Sequence, residues 1–264
     1  MGLRGKSLTL LLVVSVPLAA HTLPPGSQRF EDFAVRTPLE EDDVLILGFQ
    51  GGREAWDAKT AVGRLAARLR GLKLPGVHVE TVENRKRHLA VRLVREALDR
   101  DRDGRLAHEE LARPRVVLYG HSFGGAAVVK LARELDRLGV PVLLTVQIDS
   151  VGRGDARIPA NVARAANLFQ SSGQIIRGEP EIVAEDPERT EIVGNFGYDY
   201  DERQIDISKV PLMKKIFRAA HAKMELDEEV WSRVEQLILS AVPVAPSGTP
   251  PGQNPAPRVE SRMR

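Results

Sequence analysis

The chain has 264 residues, enough for one sizeable α/β domain with extensions. Lys and Arg number 38 against 36 Asp and Glu, and the surplus cations Arg4 and Lys6 lie near the N-terminus, so the remainder carries no net positive charge to attract a nucleic acid. Cysteine is absent, which excludes disulfides, Cys-ligated zinc and a lipid-modified cysteine.

Residues 1–20 have the form of a secretory signal. Arg4 and Lys6 make a basic start, Leu8 to Val16 an apolar core, and Leu18-Ala19-Ala20 a cleavage site. The apolar core is too short to span a bilayer as a stable helix. This reading predicts a secreted or periplasmic protein with no stable membrane span after cleavage; the alternative is an uncleaved anchor. From Pro243 to Arg264 prolines are frequent and apolar residues scarce, so that tail is expected to be disordered. The folded domain is then 29–242.

Val44 to Phe49 is an apolar run that reads as a buried strand. Ala55 to Arg70 reads as a helix, with Ala58, Ala61, Leu65 and Leu69 on one face. Val77 to Val82 is the next strand, and Leu89 to Leu98 the next helix. Asp99 to Glu110 then fits the EF-hand calcium-loop pattern. Asp99, Asp101 and Asp103 fall at its first, third and fifth places, Gly104 at its sharp turn, and Glu110 at its bidentate closing place. With the Arg105 carbonyl these supply the hard oxygens that calcium needs. Ala107 stands where a polar side chain usually holds a ligating water, and Pro114 limits the exit helix to about one turn. The loop is expected to hold a structural Ca2+; the bland alternative is a solvated loop of paired charges. His108 is not a ligand by this spacing.

Val116 to Tyr119 is a buried strand that runs into Gly120-His121-Ser122-Phe123-Gly124, and Ala126 to Arg137 reads as a helix. Strand, tight turn and helix make Gly-x-Ser-x-Gly a nucleophile elbow, with the serine hydroxyl lifted clear of the sheet. Val142 to Ile148 and Ala166 to Gln170 are further strands, and Asp227 to Ser240 is a closing amphipathic helix. Alternation of strand and helix predicts an α/β fold with a doubly wound, mostly parallel sheet.

A serine hydroxyl needs a base. In the order serine, acid, histidine, His221 is the one histidine after Ser122, and it is placed on a loop ahead of the last helix. The acid should emerge at the end of a strand, which selects Asp149, with Asp199 and Asp201 in reserve. It would accept a hydrogen bond from the imidazole and fix its tautomer. An oxyanion hole needs two N–H groups. One falls to Phe123, after the nucleophile; the other to Gln50, with Gly51 as the alternative.

Elbow, acid after the following strand and histidine before the final helix resemble the α/β-hydrolase fold. The runs Thr145 to Val151, Ile158 to Val162 and Asn167 to Gln170 resemble small bacterial lipase-like and thioesterase-like serine hydrolases. The resemblance covers roughly 42–241. It implies a serine hydrolase acting on a small acyl ester or thioester, with no cofactor in catalysis. An amidase on the same machinery stays open. The chain departs from lipases in lacking a clear hydrophobic lid, since 171–212 is rich in Asp and Glu. The rival reading is a non-catalytic calcium-binding or interaction protein on a hydrolase scaffold.

Overall fold

The computed structural model describes residues 27–113, 115–172, 177–208 and 212–242. The expected signal segment 1–20 and the Pro-rich tail 243–264 lie outside the described residues. The elements run β1 (Val44–Gln50), α1 (Ala61–Gly71), β2 (Val77–Glu83), α2 (Arg87–Leu98), α3 (His108–Leu111) and β3 (Val116–His121). Then come α4 (Phe123–Asp136), β4 (Val142–Ile148), β5 (Arg157–Ile158), β6 (Val162–Gln170), β7 (Val183–Ala184), β8 (Glu191–Tyr198), α5 (Leu212–Leu226) and α6 (Glu228–Ala241).

Six strands form one sheet in the order β2-β1-β3-β4-β6-β8, with every pairing parallel; β5 and β7 make a separate two-stranded ribbon. Parallel strands need crossovers, and the helices that supply them cover both faces. Alternate residues of β1 show why its sequence is apolar from Val44 to Phe49. Leu45, Leu47 and Phe49 join a core with α2 and α4, while Val44 and Ile46 join the opposite core with α1, α5 and α6. The α/β fold and doubly wound parallel sheet read from the sequence are those observed. Among the described residues no helix is long and apolar enough to cross a membrane.

Several elements differ from the sequence reading: β6 begins at Val162 and α4 at Phe123, both earlier than expected, and the short β5 and β7 are additional. The first helix begins at Ala61, not Ala55. Thr60 caps it, its Oγ1 accepting from Gly63 N at 3.2 Å, and the preceding Trp56 and Ala58 carbonyls accept from Gln50 Nε2 at 3.1 and 3.5 Å. Those bonds hold 55–60 in a turn. Strand β8 was not anticipated. It is an edge strand, largely exposed or half-buried and carrying Gly194 and Gly197, so it lacks the apolar run of a central strand. Helix α5 was not anticipated either, and it carries His221, which therefore stands on a helix and not on a loop.

Candidate active site

Ser122 sits between β3 and α4 at φ 59 and ψ −125, a backbone conformation that side-chain-bearing residues rarely adopt. Such strain costs about 1–3 kcal/mol and persists only where neighbours enforce it. Here three hydrogen bonds do so. Ser122 N donates to Ile148 O at 2.9 Å, and Ser122 O accepts from Gly125 N at 3.0 Å and Val151 N at 3.1 Å. The flanking glycines are steric necessities. A Cβ on Gly120 would meet the Gly124 carbonyl at 2.5 Å, and one on Gly124 would meet Phe49 O at 2.2 Å.

Asp149 follows β4 directly and is fully buried. Its Oδ1 accepts from Gly178 N at 2.9 Å and, at longer range, from Gln170 N at 3.4 Å. Its Oδ2 lies 2.5 Å from His221 Nδ1. A charge-bearing acceptor without solvent is tolerated because every one of these contacts supplies a donor. His221 is likewise buried. Its helix is tied down on either side of it: Ala220 and Met224 pack into the core, and Lys223 Nζ donates to Tyr200 O at 2.7 Å. Ser122 and His221 line the same cavity, of about 700 Å³, together with Phe123. Serine and imidazole, 99 positions apart in sequence, thus border one cavity at the carboxyl ends of β3 and β4, where open α/β sheets place their ligands, and the carboxylate stands behind the imidazole; among the described residues no hydrogen bond joins the Ser122 hydroxyl to His221.

The reserve acids are elsewhere. Asp199 is exposed and accepts from Ser172 Oγ at 2.6 Å, a bond that holds its carboxyl below the usual range, and Asp201 N donates to the same oxygen at 2.9 Å. Phe123 opens α4, so its amide belongs to the first turn and has no acceptor within the helix. Gln50 is less well placed than expected. It is the last residue of β1, is fully buried, and turns its side chain toward Thr60, whose Oγ1 donates to Oε1 at 2.5 Å. It does not border the cavity, whereas Gly51 does. A Cβ on Gly51 would lie 3.3 Å from Ser122 Cβ.

Two neighbours of the site escaped the sequence reading. His121 stacks on His221 with ring centroids 4.6 Å apart and planes inclined by 21°, and meets Trp231 edge-on at 6.2 Å. Strand alternation carries the signal: Val117, Tyr119 and His121 share the face of the sheet that α5 and α6 cover. Gly178 has no such signal. Its backbone approaches Asp149 so closely that a Cβ would stand 2.2 Å from Oδ1, a contact between positions far apart in the chain.

The loop 99–110 lies apart from this cavity. The carboxylates of Asp99, Asp101 and Asp103 bring oxygens within 4.8 Å of one another. Asp99 accepts from Asp103 N at 3.1 Å and Gly104 N at 2.9 Å, and Gly104 takes φ +80 at the turn. Arg105 N donates to Asp103 Oδ1 at 2.7 Å. Glu110 is buried beneath the loop and accepts from Arg100 N at 2.6 Å and Ala107 N at 2.9 Å. Leu106 anchors the loop on the core, and His108 is exposed. Three carboxylates thus stand close together on the surface, while both oxygens of Glu110 are taken up by backbone N–H groups at the loop and the start of α3.

No protein-family model and no curated protein sequence matches the chain. Among solved structures the chain is similar to the RedJ thioesterase of the prodiginine biosynthetic pathway in Streptomyces coelicolor. The identity is 12% and the TM-score 0.39, over 89% of this chain and 99% of that one. A second structure, RedJ with a PEG molecule bound in its active site, aligns at 11% identity and a TM-score of 0.40 over 83% of this chain and 98% of that one.

Proposed function

We propose that the chain is a serine hydrolase that cleaves a carboxylic ester or thioester through an acyl-enzyme. The observation that carries this is the buried Asp149–His221 pair, 2.5 Å apart, opening on the same cavity as the strained Ser122. His221 takes the Ser122 proton as the hydroxyl attacks the acyl carbon, then gives it to the leaving group; water repeats the cycle and frees the acid. Asp149 keeps the imidazole proton on Nδ1 and stabilises the imidazolium. The Phe123 amide is one oxyanion donor, and the cavity wall favours Gly51 over Gln50 as the second. These steps use side chains and backbone alone. Turnover of 4-nitrophenyl butyrate and of butyryl thioesters tests the reading. Wild type should turn over at least one, and Ser122→Ala should abolish it; equal rates in both proteins would refute it.

We also propose that 99–110 binds a structural Ca2+, through Asp99, Asp101, Asp103 and the Arg105 carbonyl, with Glu110 turning from its capping role. The convergence of three carboxylates within 4.8 Å supports this. At a hundredfold excess over Kd, binding adds about 2.7 kcal/mol. That raises Tm by roughly 5–10 °C for a domain of this size. A Tm that is the same in Ca2+ and in chelator, or a shift that survives the Asp99→Ala/Asp101→Ala double variant, would remove the site. Export is proposed from Arg4, Lys6 and the apolar Leu8 to Val16, and the mature N-terminus should then begin after Ala20. Sequencing of the protein recovered outside the cytoplasm checks this, and an intact Met1 there would contradict it.

A further inference from the structure

We infer that the cavity in front of Ser122 reads a negatively charged group on its substrate through Arg53 and Arg85. The inference deepens the ester or thioester reading above and rests on it for the reaction, but the subsite can be measured alone.

Arg53 lies on the loop after β1, and Arg85 in the short turn after β2; both are exposed and both line the cavity. Neither makes a hydrogen bond or ion pair among the described residues. That sets them apart from their neighbour Arg87, whose Nη2 is 2.7 Å from Glu134 Oε1. The two segments are clamped together by Asn84, the residue before Arg85. Asn84 Nδ2 donates to Gln50 O at 2.9 Å and to Gly52 O at 2.8 Å. This fixes the turn bearing Arg85 against the loop bearing Arg53. The same loop carries Gly51, which lies against Ser122. An anion held by the two guanidinium groups would therefore sit on the β2–β1 side of the nucleophile, away from the β4 side that carries Asp149.

Two carboxylates share the cavity and decide how the anion is read. Glu54 folds back on its own loop, so that a Cβ on Gly52 would meet its Oε2 at 2.8 Å. Glu225 belongs to α5, and Arg64 Nη2 donates to its backbone oxygen at 3.4 Å. The charges of the cavity balance, so there is no net field to steer an anion from a distance. Recognition must come from direct contact, and guanidinium forks match carboxylate and phosphate oxygens. Ala61, Val62, Phe123 and Ala222 give the wall an apolar part that suits a short acyl chain.

The shared ligand chemistry is a carboxylate or a phosphate, carried by either the acyl part or the leaving group. Two substrate pairs separate these sources. One is 4-nitrophenyl hemisuccinate against 4-nitrophenyl butyrate; the other is butyryl-coenzyme A against butyryl-N-acetylcysteamine. Wild type should prefer the anionic member of one pair in kcat/KM, and the Arg53→Gln/Arg85→Gln double variant should cut that preference about tenfold. A wild-type preference for the neutral member of both pairs, or a preference ratio unmoved by the double variant, would overturn the subsite. Calorimetry of succinate and of coenzyme A with Ser122→Ala reads the site without turnover. Binding that weakens about tenfold in the arginine variant upholds the subsite even where no ester is cleaved, and that outcome would defeat the hydrolase reading alone. Equal affinity with and without the arginines would overturn it.

Discussion

Asp149→Asn removes one charge and changes almost no volume, and the surroundings of Asp149 dictate how the new amide must sit. Oδ1 of Asp149 accepts from the backbone N–H groups of Gly178 and Gln170, at 2.9 and 3.4 Å. An amide NH2 placed there would face donors. The asparagine oxygen is therefore held at that position, and its NH2 takes the place of Oδ2, 2.5 Å from His221 Nδ1. The NH2 can only donate. Nδ1 must then be the acceptor, and the imidazole proton moves to Nε2, the nitrogen that has to receive the Ser122 proton. The site would be intact in shape and wrong in tautomer. A tautomer inversion of this kind costs about 10⁴ in kcat, or about 5 kcal/mol of barrier. The assay is kcat for the best ester found, with circular dichroism and Tm to show an unchanged fold. Asp199→Asn and Asp201→Asn serve as comparisons and should stay within about threefold of wild type. A kcat for Asp149→Asn within tenfold of wild type would refute the reasoning, as would a larger loss in either comparison.

Two other substitutions probe how the site is held. His121→Ala removes the ring stacked 4.6 Å from His221 and should lower kcat by roughly two- to tenfold with little change in KM, given about 0.5–1.5 kcal/mol for an aromatic pair. His121→Phe keeps a stacking ring and should recover most of the rate; equal losses in the two variants would show that the stacking does not position His221. Gly178→Ala places a methyl 2.2 Å from Asp149 Oδ1 and 2.8 Å from its Cα, so it should cost about 1–3 kcal/mol of stability and depress kcat as the carboxylate moves. Gly71→Ala, where nothing lies within 4 Å of the new atom, is the comparison and should leave Tm unchanged or slightly higher. Matching melting temperatures and rates for Gly178→Ala and wild type would mean that the approach to Asp149 is looser than described.

What could be read from sequence here was what is written locally. A parallel sheet buried on both faces makes β1, β3 and β4 mostly apolar, with polar residues such as Gln50, His121 and Gln147 near their carboxyl ends, so these strands announce themselves. The elbow is equally local, because its glycines and serine lie within five positions. Asp149 could be chosen because it ends a strand, and His221 because no other histidine follows Ser122. The contacts that make the site specific are of another kind. Gly178 N–H on Asp149, the Asn84 clamp on Gly52 and the His121–His221 stack join distant parts of the chain, and only the last leaves a trace in periodicity. Helix α5 was hidden by its basic, weakly apolar sequence, and β8 by its glycines and its place at the sheet edge. The Gln50 N–H is expected as an oxyanion donor if the loop begins at Gly48, but β1 runs on through Gln50, and it is Gly51 that borders the cavity.

The most direct test of the central claim is covalent labelling with a fluorophosphonate. The Ser122 hydroxyl should displace fluoride from phosphorus as it would attack an acyl carbon, with His221 taking the proton. Intact-mass spectrometry should show one adduct per chain, and peptide mapping should place it on Ser122. The adduct should vanish in Ser122→Ala and form far more slowly in His221→Ala. A folded protein that takes no label, or takes it on another residue, would contradict the account.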